Sequence, residues 1–301
     1  MISLKKLYSP ENLNKNEIIL DIETTGLDKS NDQLVLLGLI TYEDDKCYIR
    51  QYFAEDDSEE KRLLQIYLKI AESKKIINFN GNKFDIPFLN YRLEKHKLMP
   101  IFPESYDIYN IICNYRKFFT FDSMKLVNIE KNIGIFRNDP SRYKTISKLT
   151  DDISKRDNPR PIMIHNENDL IATEKLANLE KYFLKELTID SKANKLTLNS
   201  IWINNDLAKI NLISKTPLIE SYFTSDNYEL RTNENSIEIV LQVIYGRFDK
   251  NNKGYVALNT FNIENESEII IDPKLLIIRE NRRYNYRNIL KLSKKIIENQ
   301  L

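Results

Sequence analysis

The chain is poor in several residues whose presence marks whole classes of protein. It has two cysteines, Cys47 and Cys113, in 301 residues, so a disulfide framework is excluded and a reducing compartment is expected. Its longest apolar run, Leu34 to Ile40 with one glycine inside it, falls far short of the roughly 18 to 20 residues that cross a bilayer, and no membrane partner is expected. The first ten residues hold no apolar stretch of the kind that heads a secretory signal, which makes the cytoplasm the expected location. Neither sign of charge dominates. The 45 basic and 44 acidic residues leave a net charge of +1, which excludes a globally basic nucleic-acid coat but leaves room for local patches. Glycine (6) and tryptophan (1) are scarce, while Lys, Ile and Asn are plentiful, a bias ascribed to base composition. A single Lys or Asn therefore carries little information, and only clustered or regularly spaced residues count.

Apolar residues at 42% and charged residues at 30% are the balance of a globular chain, and the length suits two domains. From Asn16 to about Leu187 short apolar runs alternate with helical patterns, the signature of a mixed sheet with helices on its faces. Strands are expected at Glu17–Glu23, Gln33–Tyr42, Cys47–Phe53 and Lys75–Phe79, the second and third joined as a hairpin. Helices are expected over Ser58–Ala71, from Ile86 to Glu94 and over Ile164–Leu187. Tyr106–Cys113 and Ser123–Ile133 read as helical or mixed, and Arg137–Pro161 as a polar connection. Near residue 190 the period changes to alternation, with strands expected at Lys195–Trp202, Leu207–Ile213, Ile237–Ile244 and Tyr255–Asn259. A helix over about Tyr286–Asn299 follows them. The expected domains are 1–189 and 190–301.

Three places carry chemistry. Asp21 and Glu23 are two apart in an otherwise apolar strand, so both carboxylates leave the same face. Such a pair repels unless a hard divalent cation lies between the two, or unless the strand simply ends in solvent. Asp85 follows a strand and loop and opens a helix, where it is either an N-cap or another acid at an element's end. His165 and Asp169 are four apart and share a helix face, as a surface pair or as working groups. The other histidine, His96, lies amid Glu94-Lys-His-Lys97 and reads as a solvated residue.

Asp21-Ile-Glu-Thr-Thr-Gly-Leu27, Asn80 to Phe84-Asp85-Ile-Pro-Phe-Leu89 and His165-Asn-Glu-Asn-Asp169, in that order and separation, resemble the three motifs of the DnaQ-like DEDD 3′→5′ exonucleases. The His-Asn-x-x-Asp ending and the long insert before it are most similar to the YprB-type ribonuclease H-like domain. The gap from His165 to Asp169 is four, as in the tyrosine branch of that class, where the histidine branch has five; either keeps both groups on one side of a helix. The likeness covers about residues 16 to 187. It implies an α/β fold, a ribonuclease H-like mixed sheet flanked by helices, with a smaller antiparallel β domain and C-terminal helix after it.

The resemblance further implies that Asp21, Glu23, Asp85 and Asp169 hold two Mg²⁺ or Mn²⁺ ions, with His165 as general base for the attacking water. Thr24, Thr25, Gly26, Leu27 and Asn80 would contact the substrate, single-stranded DNA or RNA at its 3′ end. A tight turn at Gly26 and a core-packed Leu27 would explain the same residues structurally. A scaffold that binds nucleic acid without turnover and a structure-specific endonuclease remain the competing functions. In the second domain Arg279, Arg282, Arg283, Arg287, Lys291, Lys294 and Lys295 surround Tyr284 and Tyr286 against the single acid Glu280. That mix suits phosphate contact with base stacking, or is the solvated face of a helix and its approach.

Overall fold

The computed structural model describes residues 1–121, 123–132, 145–191 and 194–301. They form two compact units, one of Met1–Cys113 with Phe121–Leu179, the other of Asn114–Thr120 with Glu180–Leu301.

The first unit is built on a six-stranded mixed sheet. Its strands are β1 (Ile2–Tyr8), β2 (Glu17–Thr24), β3 (Leu34–Glu43), β4 (Lys46–Phe53), β5 (Lys75–Asn78) and β6 (Ser105–Asp107), in the spatial order β1-β4-β3-β2-β5-β6. β2, β5 and β6 run parallel and the other pairs antiparallel. The parallel pairs need crossovers, which α1 (Glu60–Ala71) and α2 (Asp85–Lys95) supply. On β2 the side chains of Ile18, Leu20 and Ile22 go to one face and pack on Leu63, Leu64 and Tyr67 of α1 and Phe88, Leu89 and Leu93 of α2. The opposite face of the sheet is covered where Val35, Leu36 and Phe53 meet Ile153 of α5 (Ile146–Lys155) and Ile162 and Met163 of α6 (Pro159–Leu176). Burial on both faces explains why β3 is the longest apolar run in the chain.

Several elements differ from the sequence reading. No strand is expected ahead of Glu17, yet β1 lies there and pairs along its whole length with β4. Tyr106–Cys113 resolves into the end of β6 and the start of α3 (Ile108–Tyr115), and Ser123–Ile133 contains α4 (Leu126–Asn132). The polar connection expected over Arg137–Pro161 lies outside the described residues as far as 144 and thereafter forms α5 and the start of α6. The single helix expected over Ile164–Leu187 is two, α6 and α7 (Leu179–Glu186). Asn12 ends the first of them by donating from Nδ2 to the Lys175 carbonyl at 3.2 Å and accepting from Asn178. Among the described residues no helix is long and apolar enough to cross a membrane.

His96 is not the solvated residue expected. It is 27% exposed and its Nε2 lies 2.7 Å from Oε2 of Glu60, a carboxylate that also receives Arg92 through two hydrogen bonds of 2.7 and 2.5 Å. The Leu34 N–H donates to the same group at 2.8 Å. Glu60 thus joins α1, α2 and β3 through one buried carboxylate, and these donors hold its carboxyl below the usual range against the upward push of burial.

The second unit has a six-stranded antiparallel sheet of β7 (Thr188–Ser191), β8 (Asn194–Asn204), β9 (Leu207–Ser214), β10 (Ser221–Thr224), β11 (Tyr228–Asn233) and β12 (Ser236–Gln242), ordered β10-β11-β12-β9-β8-β7. A four-stranded sheet follows, of β13 (Ile244–Arg247), β14 (Lys253–Leu258), β15 (Leu275–Glu280) and β16 (Arg283–Tyr284), and then α8 (Tyr286–Gln300). Leu198, Ile210, Leu212, Leu230, Ile239, Leu276, Ile289 and Ile296 share its core. The strand expected over Ile237–Ile244 breaks at Val243, whose N–H donates to the Asp206 carbonyl at 2.7 Å. Aromatic packing places Asn114–Thr120 in this unit. The rings of Tyr115 and Phe119 each lie 4.8 Å from that of Phe183, and Phe119 lies 5.0 Å from Tyr286.

Replacing Arg92 with Met would leave the Glu60 carboxylate buried without its main counter-charge. Urea denaturation should show a loss of about 3–5 kcal/mol, and adding Glu60→Met should recover part of it.

Candidate active site

Asp21 and Glu23 leave β2 on the face opposite Ile22, toward α6, as strand alternation requires. The ladder with β3 has a register shift between Glu23 and Thr24, a bulge of the kind that re-aims side chains at a strand's end. Asp85 is not the N-cap of α2. It is the first residue of that helix, and its Oδ1 accepts from the Ile22 N–H of β2 at 3.2 Å. Asp169 and His165 stand one turn apart on α6, with His165 Nε2 3.6 Å from Asp169 Oδ2.

Asp85 and Asp169 act on both Asp21 and Glu23 of β2. Burial, then Asp169, Glu23 and Asp85, push the Asp21 carboxyl well above the ordinary carboxylate range, against a hydrogen bond from Asn166. Burial, then Asp169 and Asp85, raise Glu23 in the same way. Burial lifts Asp85 to about 7, opposed by its own N–H and that of Ile22 and assisted by Asp107. Asp21, His165 and Asp169 line a cavity of about 720 Å³ together with Asn80. Phe79 and Tyr109, in edge-to-face contact at 5.8 Å, also line it.

Among the described residues no group of three or more His, Cys, Asp or Glu side chains stands close enough together to hold a metal ion as placed. The donor set nonetheless fits divalent ions of the Mg²⁺ and Mn²⁺ type. It consists of hard carboxylate oxygens, those of Glu23 and Asp85 buried and those of Asp21 and Asp169 part-buried at the cavity, with Asp85 and Asp169 repelling Asp21 and Glu23, which is the condition such a cation relieves.

The turn after β2 is ordered by a residue that sequence reasoning passed over. Asp32 accepts from Thr25 Oγ1 at 3.1 Å and from the Asp28 N–H at 2.8 Å, and a Cβ on Gly26 would stand 2.4 Å from its carboxylate. Any larger residue at position 26 would have to displace the Asp32 carboxylate that orders the turn. Thr24 is buried and donates from Oγ1 to the Gly26 carbonyl at 2.6 Å. Leu27 is 77% exposed, which removes the alternative of a core-packed leucine. Asn80 has a left-handed backbone, φ 66°, held by a 2.8 Å bond from its N–H to Asp107 Oδ1.

Asp107 was missed. It ends β6, is buried, and also accepts from the N–H groups of Asn82 at 3.2 Å and Tyr109 at 3.0 Å. Its signal was its place at a strand-to-helix junction, as with Asp85. Asn166 was missed as well, although it lies inside the third motif. Nothing in the spacing of Gln51 and Gly38, which surround it, singled either out. The basic C-terminal segment is spread over β15, β16 and α8 of the second unit. Arg279 lies 5.3 Å over Tyr284 and Arg287 5.7 Å over Tyr286. Glu266 opposes the charge beside Glu280, pairing with Lys291 at 2.5 Å and Arg287 at 3.7 Å.

A mixed sheet with helices on both faces and acids gathered beside its central strand is a ribonuclease H-like arrangement. The family model of the RNase H superfamily matches residues 18–181, and the chain belongs to that superfamily. In sequence it is similar to the uncharacterized protein YprB of Bacillus subtilis, 26% identical over 204 residues that cover 64% of this chain and 48% of that protein. The chain thus spans about half the length of this curated relative. Among solved structures it is similar to E. coli Exonuclease I bound to a dT13 oligonucleotide, with 12% identity, 67% of this chain and 56% of that one covered, and a TM-score of 0.38. A zinc-bound complex of the same E. coli enzyme with single-stranded DNA gives 13% identity, 67% and 55% coverage and a TM-score of 0.37. Superpositions this loose leave the substrate to the chemistry of the site.

The raised Asp85 carboxyl has a stability consequence with a definite sign. Its folded value, about 7 against 3.8, means that the folded chain keeps a proton the unfolded chain gives up. The favourable contribution is complete below the unfolded value and is lost as pH rises through the folded one. In chelator the wild type should lose stability between about pH 4 and 7, and Asp85→Asn should flatten that part of the profile. Melting curves across this range check it.

Proposed function

We propose that this chain is a metal-dependent nuclease, a 3′→5′ exonuclease acting on the ends of single-stranded DNA or RNA. One observation carries the reading: acids from β2, α2 and α6, far apart in sequence, repel one another beside a cavity that also receives His165. Membership of the RNase H superfamily supports a nuclease at the coarser level.

In this reading Asp21, Glu23, Asp85 and Asp169 hold two Mg²⁺ or Mn²⁺ ions, which when bound activate water and neutralise charge on the phosphodiester. His165 accepts the proton of the attacking water, a task for which an imidazole has a suitable intrinsic basicity. Thr24, Thr25 and Gly26 present a turn held rigid by Asp32, and Leu27 offers an exposed apolar surface to a terminal base. The Asn80 loop, tied to Asp107, lines the same cavity and would meet the nucleic-acid strand there. Phe79 and Tyr109 add an aromatic wall on which a base could stack. The hydrolytic work falls to the first unit. A second reading, a protein that binds nucleic acid without cleaving it, needs only the cavity and its aromatic wall.

End-labelled single strands of DNA and RNA, incubated with the protein in Mn²⁺ beside Asp21→Ala, separate the readings. The expected outcome is mononucleotide release from the 3′ end by the wild type alone, abolished by chelator, and the substrate degraded identifies the sugar. Internal cuts would indicate an endonuclease. No release from either substrate would leave the non-catalytic reading.

A further inference from the structure

We infer that Asn166 is a positioning residue for Asp21, with its amide oriented by Gln51 and its seat provided by Gly38. The inference rests on the proposed metal-binding role of Asp21. The three neighbours of Asn166 form one row across three adjacent strands: Asp21 of β2 is paired with Gly38 of β3, and Gly38 with Gln51 of β4. Residues in such a row share a face of the sheet. Asn166, fully buried on α6, lies across that row. Its Nδ2 donates to Asp21 Oδ2 at 2.7 Å, with the Asp21 main-chain oxygen at 3.3 Å. At its other end Oδ1 accepts from Gln51 Nε2 at 2.8 Å.

An amide could in principle turn either end toward Asp21, and Gln51 decides which. Its Nε2 sits between two oxygens, Asn166 Oδ1 and the Met163 carbonyl at 2.7 Å, so the Gln51 amide has only one favourable sense. Turning Asn166 over would set N–H against N–H at Gln51 and a carbonyl against a carboxylate at Asp21, losing both bonds at once. A donor is therefore always presented to Oδ2, which biases the carboxylate against turning about its Cβ–Cγ bond. Gly38 makes room: a Cβ there would stand 2.0 Å from Asn166 Oδ1. A ligand oriented by a partner outside the coordination sphere is typically worth roughly 10- to 100-fold in metal affinity.

The test is a double-substitution cycle with Mn²⁺ affinity, measured by titration calorimetry, and melting in chelator as separate readouts. The atoms nearest a Cβ at Gly38 all belong to Asn166, so Gly38→Ala should displace that side chain and weaken Mn²⁺ binding by roughly tenfold or more in the wild-type background. It should have no further effect on affinity once Asn166→Ala has removed the side chain. If Gly38→Ala does not fold, Gln51→Leu takes its place in the cycle with the same expectation. A merely structural role would lower the melting temperature and leave the affinity of the folded protein unmoved. That result, or affinity losses that add in the double variant, would overturn the assignment. Absence of Mn²⁺ binding by the wild type would overturn the metal reading of the site and this inference with it.

Discussion

Carboxylates held out of water beside one another are unstable company, and the first unit is arranged around that conflict. Strand geometry puts Asp21 and Glu23 on one face whatever the rest of the chain does. α2 then turns the Asp85 carboxylate back to the Ile22 amide, and α6 brings Asp169 to the same place. The approach of Asp169 and Asp85 raises the proton affinity of Asp21 and Glu23. Such a cluster persists only where a well-packed frame forces it together, and the two apolar faces of the sheet are that frame. The same crowding makes the cluster an attractive place for a hard dication.

Elsewhere the protein treats a buried acid in the opposite way. Glu60 receives Arg92, His96 and the Leu34 amide, and Glu174 receives Tyr8 at 2.9 Å and the Glu11 amide at 2.8 Å. These carboxylates are supplied with donors by the chain itself and serve to join elements. The acids beside the cavity have few donors and much repulsion. The contrast between satisfied and unsatisfied buried acids distinguishes framework from site without reference to any relative.

How much could be read in advance depended on the range of the interaction. The two-residue period of Asp21 and Glu23 and the four-residue period of His165 and Asp169 are local, so their shared faces were legible. So was the hairpin of β3 and β4, since the apolar run of β3, the alternation of β4 and the turn between them are also local. Asn166 and Gln51 were not, because what gives them meaning is the strand register that brings positions 21, 38 and 51 into line. Asp107 was hidden in a strand of three residues, too short to show a period. The break between α6 and α7 depends on Asn12, more than 160 residues away along the chain. In the second unit β11 alternates plainly between buried and exposed residues, yet its polar composition concealed it.

His165, Asn166 and Asp169 ride on one rigid rod, while the groups they serve belong to a strand on which that rod is packed. Inserting or deleting a single residue between Pro159 and His165 would turn all three by roughly 100° about the helix axis and slide them by about 1.5 Å. Length variation is therefore barred from the opening turns of α6, even though its solvent-facing positions can change freely.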